Sequence, residues 1–188
     1  MSEFTIHIPE TAPQASKQIL QNSEKQLGFI PNLYAVLAES PATLEANQVL
    51  TALFDKTAFT VTERQLVLLS ISRYRNCSYC LAAQGTVAKI QKIPAEIVHA
   101  VYYNQPLEDS KLEALRTFTR AVLKAEGWVD HIVLEAFYQS GYQKQHVLEV
   151  VLGISFKTLS NYVNQINDTP IDAAFLSGIP NNDDAATV

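Results

Sequence analysis

The sequence predicts an all-α fold, a single-domain helical bundle, on three observations. Apolar residues return at helical spacing through most of the 188 residues, most cleanly over 110–126, where Leu112, Leu115, Phe118, Val122 and Ala125 form one stripe. Helix boundaries are written into the chain. Thr60 stands three residues before Glu63 as in a capping box, Ser40-Pro41 puts proline at a first helical position, and Gly28 and Gly127 follow periodic runs. Finally, no stretch is rich in strand signals and no segment repeats. With 47% apolar residues, a chain of this length suits one domain with a sizeable core.

Residues 1–10 read as extended, Phe4, Ile6 and Ile8 alternating with Thr5 and His7 up to Pro9, an edge segment lying against helices. Over 12–27 the sparse apolar positions Ala15, Ile19, Leu20 and Leu27 mark a surface helix ended by Gly28, after which Phe29 and Ile30 are expected to enter the core. Pro31 opens a short helix to Ala38, and Ser40-Pro41 starts another through Leu44, Val49, Leu50, Leu53 and Phe54. After Thr60, the residues Leu66, Val67, Leu69, Ile71 and Tyr74 fit a buried helix. Asn76 is read as the N-cap of the next helix, whose first turn holds the cysteines and which continues through 81–90.

Ile93-Pro94 begins a short helix with Ile97, Val98 and Val101 on its core face. In the 110–126 helix Lys111, Glu113, Arg116, Arg120 and Lys124 are expected to face mostly outward. Asp130 caps a short helix through Ile132, Val133, Leu134, Ala136 and Phe137, ended by Ser140-Gly141. The last helix, over 143–166, carries Val147, Leu148, Val150, Val151, Leu152, Ile154 and Phe156. It reads as apolar around most of its circumference, to be covered by several neighbours or by other subunits. Residues 1–172 are therefore read as the domain and 173–188 as a C-terminal tail. Its last eight or so residues are expected to be disordered, and Phe175 and Leu176 to dock on a partner subunit.

The chemistry concentrates in Cys77-Ser78-Tyr79-Cys80. These are the only two cysteines, and chance would place two at that separation roughly once in a hundred. At a helix start, free backbone N–H groups and the helix dipole favour a thiolate, the form that attacks disulfides and peroxides. No metal is expected: zinc asks for four ligands, no second cysteine pair exists, and His7, His99, His131 and His146 are dispersed. No cofactor is expected either. The net charge of −5 and the absence of a basic run exclude a nucleic-acid footprint. The start has no basic and apolar leader pattern, and no stretch offers about twenty uncharged apolar residues, so no membrane partner and a cytoplasmic location are expected.

The run Thr60-x-x-Glu63-Arg64, then apolar residues, then Asn76-Cys77-Ser78-Tyr79-Cys80-Leu81-x-x-x-Gly85 resembles the alkylhydroperoxidase-D-like members of the carboxymuconolactone decarboxylase family, in particular the peroxidase-related subgroup. Leu27-Gly28-Phe29-Ile30-Pro31-Asn32-Leu33-Tyr34 with Ser40-Pro41 resembles the N-terminal helices of that subgroup, and 161–170 resembles its closing helix. The likeness covers most of 20–172. It implies an all-α bundle of the alkylhydroperoxidase-D-like type that assembles into homo-oligomers, commonly trimers or hexamers. Members with full peroxidase chemistry carry a Glu and a His as a proton relay, and the matching positions here are Gln65 and Gln84. Neither amide shuttles a proton. Glu63, about 200° from the relay position around the helix, is a cap rather than a substitute base.

These readings predict a thiol–disulfide oxidoreductase or weak peroxidase in antioxidant defence, acting on a peroxide or disulfide and restored by an external dithiol or thiol. The helix end favours Cys77 as the attacking sulfur, whereas the resemblance puts Cys80 nearest the relay position; Cys80 is taken as the attacker and Cys77 as its partner. Tyr79 is a candidate pocket residue. Tyr102 and Tyr103 read either as packing rings or as pocket walls. The alternative, supported by Gln65 and Gln84, is a non-catalytic or redox-sensing member of the fold. The decarboxylase chemistry of the wider family finds no matching base beyond isolated histidines.

Overall fold

The structure, a computed structural model, describes residues 4–180; most of the segment expected to be disordered lies outside the described residues. The described residues form nine α-helices, one 3-10 turn and no strand. In order these are α1 Gln14–Leu27, α2 Asn32–Leu37, α3 Pro41–Phe54, α4 Val61–Tyr74, α5 Ser78–Ile90, α6 Ala95–Tyr102, α7 Ser110–Lys124, α8 His131–Gln139, α9 Lys144–Asn167 and the 3-10 turn Ala173–Gly178.

Helix α4 is the axis of the bundle. It is buried without a break over 65–72 and packs against α5, α6, α7 and α9. Its start is fixed by the expected capping box: Thr60 Oγ1 accepts from the Glu63 backbone N–H, and the Glu63 carboxylate accepts from the Thr60 N–H at 2.8 Å. The same carboxylate accepts from the Tyr142 hydroxyl at 2.9 Å and pairs with Lys111 at 3.1 Å. Burial pushes the Glu63 carboxyl up, but these donors outweigh it and hold the group below its usual range. Glu63 is thus a structural tie, as its capping position predicts. Phe118, Phe137 and Tyr142 stack beside it, with ring centroids 4.1 and 4.5 Å apart.

Several sequence expectations give way to packing. In the N-terminal segment the alternation is inverted: His7 is buried, its ring bonded to Glu39 at 2.7 Å and Thr11 at 3.2 Å, while Phe4, Ile6 and Ile8 are exposed. Phe29 and Ile30 are half-buried, and Tyr74, at the end of α4, is exposed. Arg116 is buried rather than outward, because its guanidinium donates to the Gln105 carbonyl and to Asn104 Oδ1. The inner face of α9 is polar, with Lys157, Ser160, Asn161, Asn164 and Asn167 buried, whereas Leu148, Val151, Tyr162 and Ile166 are exposed. The helix is amphipathic in reverse over its second half.

Residues 173–180 are not a free tail. The 3-10 turn lies on α5, and Phe175 packs on Phe29 and Tyr79 of its own chain at centroid distances of 5.6 and 5.9 Å; Leu176 is exposed. Two glycines allow the approach. A Cβ on Gly85 would stand 2.0 Å from the Gly178 carbonyl oxygen, and one on Gly178 would stand 2.1 Å from the Ala82 carbonyl oxygen. Both obstacles are backbone, so neither can turn aside.

Gly85→Ala is therefore expected to lift the turn from α5 and to cost about 2 kcal/mol, as overpacking does. That corresponds to a fall of about 4–8 °C in the thermal midpoint for a chain of this size. An unchanged midpoint contradicts the packing.

Candidate active site

The site begins in the turn between α4 and α5. Asn76 takes the left-handed conformation, φ 53°, which asparagine tolerates better than most residues but which an N-cap does not use. The cap is instead Cys77, at φ −85° and ψ 98°, and its Sγ accepts from the Cys80 backbone N–H at 3.3 Å. Cys77 is the residue that opens α5 and Cys80 lies in its first turn, so both sulfurs stand at the positive end of the helix. They are free thiols, each 2% exposed.

What surrounds the two sulfurs separates them. Burial pushes the Cys80 thiol up. That is outweighed by the Cys77 S–H, by the Lys157 cation and by the Asn164 amide, whose Nδ2 donates to Cys80 Sγ at 3.3 Å, and the thiol is brought down to about 5. Cys77 moves the opposite way, because its proton is held by the hydrogen bond to Cys80 and because it too is buried. The surroundings thus favour negative charge on Cys80 over Cys77.

Cys80 lies on the wall of a cavity of about 460 Å3. Its apolar walls include Phe29, Leu33, Phe54, Leu68, Phe156 and Phe175, and Lys157 is its buried cation, 3% exposed. Gln65 from α4 and Gln84 from α5 line the same space, so the chain does bring the two relay positions together with Cys80. Gln65 Oε1, Gln84 Oε1 and Asn47 Oδ1, all on this wall, are buried acceptors without a hydrogen-bond partner. Buried polar atoms are rarely left so.

Tyr79 also lines the cavity, but its hydroxyl is committed. It donates to Asp172 Oδ2 at 2.6 Å and accepts from the Leu33 N–H at 3.1 Å. Burial and the neighbouring carboxylate push its ionisation far up. Tyr102 and Tyr103 do not line this cavity: Tyr102 packs on the main core, and the Tyr103 hydroxyl donates to the Pro180 carbonyl at 3.1 Å. None of the histidines reaches the cavity wall either. His7 pairs with Glu39, His99 stacks on Tyr103, His146 stacks on Phe59, and His131 is at the surface beside Asp130. Among the described residues, no cluster of His, Cys, Asp and Glu is arranged to hold a metal ion.

Lys157 and Asn164 escaped the sequence reading. Their signal was present: together with Asn161 they fall four and three apart on one face of an otherwise apolar helix, the spacing of side chains that share a helix face.

Because a thiol ionises as pH rises, a lowered value keeps the reactive thiolate present in mildly acid solution. The alkylation rate of Cys80 by iodoacetamide is expected to hold from neutrality down to near pH 5. Lys157→Met should move that fall-off upward by about one unit or more, and Lys157→Arg should largely restore it. Equal profiles in all three proteins contradict the assigned role of the cation.

The sequence matches no family model and no curated protein. Solved structures do match. An uncharacterized peroxidase-related protein from Ralstonia eutropha JMP134, described as an alkylhydroperoxidase AhpD core, superposes with a TM-score of 0.83 over 96% of this chain and 98% of its own, at 22% identity. An uncharacterized peroxidase-related protein from Silicibacter sp. TM1040 gives 0.78 over 92% of each chain at 16% identity. The debrominase Bmp8 gives 0.78 over 95% of this chain and 96% of its own, at 19% identity, and a substituted form of it has been solved in complex with 2,3,4-tribromopyrrole. This chain therefore has the all-α fold of the alkylhydroperoxidase AhpD core.

Proposed function

We propose that the protein is a thiol–disulfide oxidoreductase in which the Cys80 thiolate attacks a small organic substrate and Cys77 completes a disulfide. One observation carries this: Cys80 on the wall of a cavity of substrate size, its sulfur accepting from Asn164 and a second thiol close by in the same turn. With a hydroperoxide, Cys80 Sγ attacks the terminal oxygen, the O–O bond breaks, the departing alkoxide takes a proton and the sulfur becomes a sulfenic acid. Once Cys80 is neutral, the bond that held the Cys77 proton is gone. The Cys77 sulfur then displaces hydroxide from the sulfenic acid, forming the S–S bond and water. An external dithiol such as dithiothreitol returns both thiols.

Gln65 and Gln84 act as amides that border the substrate rather than as a relay, so the alkoxide receives no proton from them. Disulfide exchange, whose leaving thiolate is a much weaker base, suffers less. A second reading is favoured by the aromatic lining from Phe29, Phe54, Phe156 and Phe175 and by the likeness to a debrominase: the Cys80 sulfur takes bromine from a ring carbon, that carbon gains a proton, and Cys77, losing its own proton, displaces bromide from the sulfur to form the disulfide. Turnover of cumene hydroperoxide and of 2,3,4-tribromopyrrole, each with dithiothreitol, separates the two. Cys80→Ser should abolish either activity, and an unaffected Cys80→Ser variant sinks the reading as a whole.

The exposed Phe4, Ile6, Ile8, Leu148, Val151 and Ile166 support assembly with further copies of the chain. No helix among the described residues is long and apolar enough to cross a membrane. A free pair with one ionised thiol fits a compartment that keeps thiols reduced, as the cytoplasm does.

The double substitution Gln65→Glu with Gln84→His is expected to raise hydroperoxide turnover by about one to two orders of magnitude, toward the lower end of general acid–base effects. Exchange with a small disulfide should change little. Equal peroxide rates in the two proteins would show that the glutamines do not limit the reaction.

A further inference from the structure

A second concave site lies away from the cysteines. Arg73 and Ser70 of α4, Arg116 and Arg120 of α7, Val101 of α6 and Asn104 after it converge on a pocket of about 190 Å3 that shares no residue with the Cys80 cavity. Three guanidinium groups around one small space repel one another unless negative charge faces them. One acid is at hand, Glu113, 3.5 Å from Arg116 Nη1, and its carboxylate also accepts from the Leu107 N–H at 2.9 Å. Arg73 and Arg120 have no ion pair among the described residues.

The guanidinium groups are nonetheless held in place. Asn104 Oδ1 accepts from Arg116 Nη2 at 3.1 Å and from Arg120 Nη1 at 3.0 Å, and Asn76 Oδ1 accepts from Arg73 Nη1 at 2.7 Å. Both asparagines sit at positive φ, 58° and 53°, a conformation that non-glycine residues adopt at some cost and that gathers at functional sites. Arg116 is 3% exposed, and burial and the nearby Arg120 both act against its charge while Glu113 supports it. Arg73 Nε is buried and donates to nothing. A set of oriented cations with one acid among them and a buried donor still free has the chemistry that recognises an anion.

We propose that this pocket binds an oxyanion of the phosphate type, either inorganic phosphate or the phosphate group of a small molecule, gripped by Arg73 and Arg120 with Arg116 behind them. Planar guanidinium forks match the oxygens of such a group better than a point charge does. The site is independent of the redox chemistry and does not require it.

Calorimetry and thermal denaturation of the full chain test this, with inorganic phosphate, with phenyl phosphate, and with sodium chloride at matched ionic strength. Both phosphates should bind and raise the melting midpoint with concentration, beyond the effect of chloride. Tighter binding of phenyl phosphate identifies a phosphorylated molecule as the ligand, and equal binding identifies the free anion. Arg120→Gln, at an exposed side chain, should leave the unliganded midpoint nearly unchanged and weaken phosphate binding by about tenfold or more. Arg73→Gln should do likewise. Stabilisation by chloride equal to that by phosphate, or full phosphate affinity in both variants, overturns the proposal.

Discussion

An anion buried in an apolar core has to be matched where it sits, because water is not there to do it and the group otherwise keeps its proton. Cys80 is 2% exposed, and a negative charge on it is favoured by the Cys77 S–H, the Lys157 cation and the Asn164 amide. Two of these three come from α9. The cysteine pair alone does not make the thiolate; the packing of α5 against the polar stripe of α9 does. This explains why α9 keeps lysine and asparagine inside while leaving Leu148 and Ile166 in solvent, an arrangement that hydrophobic burial by itself would reverse.

Charge stabilisation and proton transfer are separate tasks, and the cavity wall supplies the first far better than the second. Lys157 lowers the energy of negative charge, whereas Gln65 and Gln84 offer amides that neither take up nor release a proton near neutrality. A leaving group that is a strong base, such as an alkoxide, depends on a proton arriving with it. One that is a weak base, such as a thiolate, does not.

Much of this was legible in the sequence. The all-α fold and the capping box at Thr60 rest on local rules of spacing and capping, and the structure follows them. So does the first turn of α5. The cap itself moved by one residue, from Asn76 to Cys77, because Asn76 was needed in the left-handed turn and a sulfur can accept the capping hydrogen bond. Periodicity failed where tertiary contacts decide orientation. His7 turns inward because Glu39 and Thr11 wait there, and Arg116 because the Gln105 carbonyl and Asn104 receive it. Of these partners only Thr11 is close in sequence. Lys157 and Asn164 are the same case at the centre of the site, since their value depends on a sulfur 77 and 84 positions away, a separation on the order of half the chain that no local pattern reports.

The closing segment shows how one distant carboxylate fixes the cavity wall. Asp172 accepts from the Tyr79 hydroxyl and, through both of its oxygens, from the Asn32 backbone N–H at 3.1 and 3.2 Å. It therefore ties the chain after α9 to the start of α2 and to the turn that carries both cysteines. With that tie made, Phe175 lies on Phe29 and Tyr79, and the 3-10 turn reaches α5 at the two glycines. The tyrosine between the cysteines thus has a physical reason that redox chemistry alone does not give. A phenylalanine would fill the same space but would leave Asp172 short of a donor and the Leu33 N–H short of an acceptor, at a cost of about 1–3 kcal/mol for each buried group left unpaired. The position of Cys80 on the cavity wall then depends on contacts made from both ends of the chain, so this sulfur is held by the whole fold rather than by the turn in which it sits.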